Sequence, residues 1–192
     1  TRHALVDNLG AIGVAPEGID LVVLSHLHFD HAGGLLPSWD VAETVFPRAR
    51  VLTSGRAFAR AQTPHTRDKA SFLDTVAEVL SEPGRLALAD NETHPLLGAH
   101  YSFTYSDGHT PGLLLTRVSS ADAAYIFASD LIPGRAWVHL PVTMGYDRAP
   151  EQLVDEKAAL LEAVVQRGDR LFFTHDAGCA TAKVTLRVDG RF

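Results

Sequence analysis

Six consecutive residues, His26-Leu27-His28-Phe29-Asp30-His31, carry four side chains able to ligate a metal ion. Three imidazoles and a carboxylate packed this closely suit a metal better than they suit core packing or ordinary surface. Imidazole favours zinc, and a carboxylate widens the choice to iron or manganese. An apolar run over residues 19–24 leads into the cluster. On extended backbone, side chains two residues apart point to one side, so His26 and His28 are expected to converge. The chain then turns and carries Asp30 and His31 to a second point nearby. Gly33 and Gly34 are expected to let the backbone fold back tightly beneath them. This spacing predicts a two-metal centre.

Three further residues stand where strands are expected to end. His109 lies in Ser106-Asp107-Gly108-His109-Thr110-Pro111-Gly112, where two glycines and a proline mark a tight turn around an imidazole. Asp130 follows the mostly apolar residues 124–129, and His175 follows residues 170–174 in the same way. Strand ends of an α/β sheet are where functional groups are presented. Five histidines and two aspartates suffice for two metals sharing one carboxylate.

Taken together, His-x-His-x-Asp-His, Gly-His-Thr-Pro-Gly, Ser-Asp and Thr-His resemble the metallo-β-lactamase-fold hydrolase superfamily, over residues 10–180 or thereabouts. The resemblance implies an αββα sandwich with a dinuclear site on one edge of its two sheets. It gives His26, His28 and His109 to the first metal, Asp30, His31 and His175 to the second, and makes Asp130 the bridge. An aspartate at position 130, rather than cysteine or serine, points away from antibiotic-degrading β-lactamases. The motifs look most like those of N-acyl-homoserine lactonases and methyl parathion hydrolase-like enzymes. Glyoxalase II adds a C-terminal helical domain, RNase Z and its nuclease relatives add basic segments, and flavodiiron proteins add a flavodoxin domain; none of these is seen in the sequence. Leu113 stands where the family often has histidine, a change expected to alter packing around the ligands and not the ligand set. Family members usually place strands and an Asp-Thr-Gly-type turn ahead of the motif. Here 25 residues precede His26, so the first N-terminal strands of a single domain, 1–192, are expected to be missing.

The implied function is a dinuclear hydrolase in which a metal-bridging hydroxide attacks a small ester, lactone or phosphotriester. Two divalent ions are expected, Zn2+ first, with Mn2+, Co2+ or Fe2+ as alternatives. Asp30, a ligand facing the bridge, is the expected catalytic proton carrier. Two other readings compete: a single-iron persulfide dioxygenase-like enzyme, and a non-catalytic metal-binding sensor or interaction module. An intact set of seven ligands argues against the silent module.

These residues need elements to hold them. The chain has 192 residues, 46% of them hydrophobic, enough for one globular domain with a sizeable core. Short β-branched runs alternate with helical stretches, an α/β pattern. Strands are expected at 21–25, 49–53, 86–88, 100–106, 113–118, 124–129 and 171–174. Helices are expected at 2–10, 66–80 and 150–167, the last with Pro150 in its first turn and Gly168 just past its end. The net charge of −6 with interspersed signs excludes a basic stripe for nucleic acid or an anionic membrane. No apolar run reaches the length of a membrane span. The lone cysteine, Cys179, excludes an internal disulfide and suits a reducing, cytoplasmic compartment. The expected partner is a small-molecule substrate, with a homodimer as a further possibility.

Other candidates read more plainly. Asp107 is either a support for a ligand histidine or a turn cap. Trp137, His139, Tyr146 and Asp147 lie on a loop that could line a substrate pocket, although Asp147 reads better as a helix-start residue. His3, His65, His94 and His100 lack partner spacing and read as surface or packing residues. Cys179 is expected to be inert.

Overall fold

The computed structural model of the protein describes residues 3–192. Arg2, the first residue of the expected 2–10 helix, lies outside them. The chain divides into two compact units, one reaching to Asp90 and the other running from Asn91 to Phe192.

In the first unit, helix α1 (Ala4–Ala11) precedes strand β1 (Leu21–Val23) and the short helix α2 (Phe29–Ala32). Strand β2 (Arg50–Thr53), helices α3 (Gly55–Gln62) and α4 (Asp74–Leu80), and strand β3 (Leu86–Leu88) follow. Among the described residues, β1, β2 and β3 form a parallel sheet in that order, with Leu21 opposite Arg50 and Val51 opposite Leu86. Val76, Val79 and Leu80, spaced to share one helix face, bury that face of α4 in a core with Leu24, Leu27, Leu36 and Val51. The functional edge of a parallel sheet is its carboxyl end, and β1 runs straight from there into Ser25–His31.

The second unit holds β4 (Tyr101–Ser106), β5 (Leu113–Ser119), β6 (Ala124–Phe127), α5 (Pro150–Arg167), β7 (Arg170–Phe172) and β8 (Thr181–Lys183). Among the described residues these strands pair in chain order, all antiparallel except β6 with β7. That parallel pair needs a crossover, and α5 supplies it. Leu153, Leu160, Leu161 and Val164 bury one stripe of α5, and Gly168 ends the helix in the left-handed conformation (φ +71°). The register brings three chain exits to one edge: Ser106 pairs with Leu113, Thr116 with Phe127, and Phe127 with Phe172. The loops carrying His109, Asp130 and His175 all leave from that edge.

Two expectations need correction. The 66–80 helix is a 3-10 turn at Lys69–Ser71 followed by α4, with an extended break at Phe72 and Leu73. Phe72 makes an isolated antiparallel bridge to His28, so its apolar side chain serves tertiary packing and not a helix stripe. Gly33 has ordinary right-handed backbone (φ −62°) within a short helical run. Its missing Cβ matters for another reason: a methyl there would sit 3.0 Å from Trp39 Nε1. Elsewhere the expected strands are found within one to two residues, while α3 and β8 were not expected.

Candidate metal centre

In the first unit, His26 and His28 converge as the alternation predicts, His26 Nε2 lying 3.1 Å from His28 Nδ1. Ser25 Oγ lies 3.1 Å from the other ring nitrogen of His26. The His31 ring lies beside that of His26, with centroids 4.1 Å apart. His31 Nε2 is 3.5 Å from Asp30 Oδ2. His26 and His28 are buried, whereas the Asp30 side chain reaches solvent. All four donors of the hexapeptide therefore gather within this unit.

In the second unit, the two oxygens of Asp130 face different histidines. Oδ2 lies 3.4 Å from His109 Nε2, and Oδ1 lies 3.3 Å from His175 Nε2. The turn that aims Asp130 is strained, since Ser129 takes a left-handed φ of +45°, uncommon for a residue with a side chain. His175 is set by a backbone bond from its N–H to the Pro133 carbonyl, 2.9 Å. The next residue, Asp176, binds the Arg135 guanidinium at 2.8 Å, which holds that carboxyl well below the usual carboxylate range.

His109 has the most built surroundings. Its Nδ1 lies 2.8 Å from Asp147 Oδ1, with both side chains fully buried. A carboxylate only accepts, so Nδ1 donates to Asp147 and Nε2 is the ring nitrogen that faces Asp130. Asp147 Oδ2 accepts the Met144 N–H at 2.6 Å. The loop itself is gripped by Glu156 on α5, which accepts the Ser106 hydroxyl (2.5 Å) and the Asp107 and Gly108 N–H groups (3.0 and 3.1 Å). Gly108 is obligatory here, because a Cβ would fall on the Leu153 backbone.

Asp147 is thus not a helix-start residue; α5 begins three residues later and the side chain serves His109. Asp107 is a turn cap, accepting the Gly112 N–H at 2.7 Å. Of the loop candidates, Tyr146 is exposed and edges towards His109 with ring centres 6.0 Å apart, while Trp137 packs into the unit's core. His139 contributes its carbonyl to the Lys157 ammonium. His3 caps α1 through Nδ1, and His65 and His94 accept local N–H groups, all in keeping with packing or surface roles. Cys179 is half-buried and directs its thiol to the Thr181 carbonyl. Sequence reading missed Glu156 and Lys157; a glutamate and a lysine side by side on a helix carry no signal, and only the hydrogen bonds of Glu156 and the burial of Lys157 mark them.

The donor chemistry fits divalent cations. Zinc–nitrogen and zinc–oxygen bonds of 2.0–2.2 Å at tetrahedral angles place neighbouring donors about 3.3 Å apart. The contacts Asp130 makes fall at that spacing. An N–H···O hydrogen bond centres near 2.9 Å, as His109–Asp147 does.

Residues 1–175 match the family described as the metallo-beta-lactamase superfamily. The chain belongs to that superfamily. Among solved structures, AidC, a dizinc quorum-quenching lactonase in complex with a homoserine product, is 22% identical with a TM-score of 0.82, covering 97% of this chain and 67% of its own. A probable metal-dependent hydrolase from Staphylococcus aureus is 24% identical with a TM-score of 0.84, covering 93% and 62%. The hydrolase AbOPH, placed in the beta lactamase superfamily, is 20% identical with a TM-score of 0.79, covering 98% and 67%. At these identities the likeness is one of fold, and the chain has the metallo-β-lactamase fold. It spans 62–67% of the length of these three proteins.

Proposed function

We propose that this metallo-β-lactamase superfamily member is a hydrolase that holds two divalent cations, zinc in the first instance, and cleaves a small uncharged ester, lactone or phosphotriester. The observation that carries this reading is the pair of contacts at Asp130. His109 Nε2 faces one carboxylate oxygen at 3.4 Å, and His175 Nε2 faces the other at 3.3 Å. A metal ion held between each nitrogen and the oxygen it faces would suit both the donor types and the spacing.

On this reading His26, His28 and His109 serve one ion, Asp30, His31 and His175 the other, and Asp130 both. The bound pair would supply Lewis acidity and lower the pKa of a water towards about 7. The protein's own residues do the rest. Asp147 fixes the His109 tautomer, so that Nε2 is always the ligating nitrogen. Asp30, its carboxylate open to solvent, carries a proton to the leaving oxygen. A single 3-10 turn over Ser129–Leu131 carries the Asp130 carboxylate.

Metal content by mass spectrometry tests the ion count: two zinc, manganese or cobalt ions per chain support the reading, and one iron supports a thiol dioxygenase instead. Asp30→Asn should lower kcat by orders of magnitude while most of the metal stays bound, with homoserine lactones, aryl esters, a phosphotriester and a cephalosporin as the substrate panel. Near-normal turnover in that variant would remove Asp30 from the proton step.

A further inference from the structure

Lys157 stands in the middle of the buried stripe of α5, between Leu153 on one side and Leu160, Leu161 and Val164 on the other, and is itself fully buried. These positions share one helix face, so an apolar side chain at 157 would complete the stripe. A lysine at such a place ordinarily lays its stem on the core and keeps its ammonium in water. Here the ammonium is inside, which is costly unless hydrogen bonds and an opposite charge meet it. Apolar groups of similar volume often replace buried ions with no loss of stability. Stability of the fold therefore does not account for a lysine at 157.

The ammonium is spent on one segment. It donates to the carbonyls of His139 at 3.2 Å and Val142 at 2.7 Å. Both belong to a strap, residues 139–149, that joins the 3-10 turn Arg135–Val138 to α5 and takes neither helix nor strand. The far end of the strap docks on the His109 turn, where the Arg148 and Ala149 N–H groups donate to the Gly108 carbonyl at 3.0 and 2.8 Å. Between these two attachments lies Asp147, the buried carboxylate that meets His109 Nδ1. Burial lowers the Lys157 pKa to about 8, and the Asp147 charge opposes that fall, so the two buried charges answer each other. Glu156, the residue before Lys157, grips the other side of the same turn at Ser106, Asp107 and Gly108. Two successive residues of α5 thus hold the two segments that meet at His109.

We propose that Lys157 is a positioning residue for His109: it pins the strap, supplies the charge that balances the buried Asp147 carboxylate, and through Asp147 holds the imidazole ready to ligate a cation. The proposal rests on the metal-dependent hydrolase reading above and adds to it a residue that acts through another. Groups that directly orient a ligand histidine are worth roughly 10–100-fold in metal affinity, and Lys157, one contact further out, belongs at the lower end.

Lys157→Met keeps an unbranched chain of similar length and loses the charge and both donations. Zinc affinity, measured by competition with a chromophoric chelator, should fall roughly 10-fold. In an Asp147→Ala background, where Lys157 has no carboxylate to act through, the same change should alter zinc affinity by about twofold or less. A lysine that only fills the helix face would give equal losses in both backgrounds. Equal losses, or an unchanged affinity in the single variant, would overturn the inference. Amide hydrogen exchange of the zinc-free protein gives a readout apart from the metal. Lys157→Met should speed exchange at Met144, Asp147 and Arg148 while β5 and β6 keep their protection; unchanged exchange in the strap would equally overturn it. Should the methionine variant fail to fold, Lys157→Gln, which keeps a donor without the charge, takes its place in both measurements. A wild-type protein that takes up no zinc, with strap amides that respond as expected, would sink the hydrolase reading and keep the hold of Lys157 on the support of His109.

Discussion

The two units assemble their candidate ligands by opposite means. The first draws four donors from one hexapeptide leaving a single strand, and its supports are adjacent residues such as Ser25. The second draws three donors from three loops that meet only because β4 to β7 pair in register. Its supports come from further away still: Asp147 lies 38 residues from His109, and Glu156 lies 48 to 50 residues from the groups it grips. A local motif is positioned by backbone alternation. A dispersed one needs a buried polar framework, and each buried polar group must find its partner.

The sharpest way to break this contrast is Asp130→Ala. It removes the carboxylate that faces two histidines, so metal stoichiometry should fall and turnover should drop by more than the roughly 10–100-fold typical of a residue that only supports a ligand. Retention of two ions per chain would show that Asp130 is not shared. Next comes a matched pair of supports. Asp147→Ala should weaken zinc affinity about 10–100-fold in competition with a chromophoric chelator. Ser25→Ala, which removes a neutral hydroxyl beside His26, should cost clearly less. Equal losses would erase the distinction between the units.

Glu156→Gln probes the framework itself. It keeps the side chain's shape but weakens its grip on one hydroxyl and two N–H groups, and should destabilise the protein by about 1–3 kcal/mol in urea unfolding. Last is an effect of pH. Lys157 is fully buried, and its ammonium donates to the His139 and Val142 carbonyls at 3.2 and 2.7 Å. Burial lowers its pKa to about 8, partly offset by the Asp147 charge. The unfolded chain then binds more protons between pH 8 and an ordinary lysine value near 10.4, so this group makes stability rise with pH across that window, by at most about 1.4 kcal/mol per pH unit. Lys157→Met should abolish that slope in urea titrations from pH 7.5 to 10.5.

Legibility in the sequence follows the same divide. His26, His28, Asp30 and His31 were readable because their geometry depends on chain count alone. His109, Asp130 and His175 were readable as strand-end residues, since strand ends are marked by apolar runs and turn residues. Asp147 was not, because its role depends on a partner 38 residues away and its local context resembles a helix start. Helix α3 carried a signal that went unused: Ser54 before an alanine-rich run, with its hydroxyl accepting the Ala57 N–H. The break at Phe72 had none, because only the bridge to His28 decides it.

One consequence of the alternation that aligns His26 and His28 concerns heredity more than chemistry. Leu27, between the two imidazoles, fills the core, so another apolar side chain of similar volume can serve there while the backbone stays extended. A single codon gained or lost between Leu24 and His26 would instead turn both imidazoles to the opposite side together. What selection must guard in this stretch is spacing before spelling.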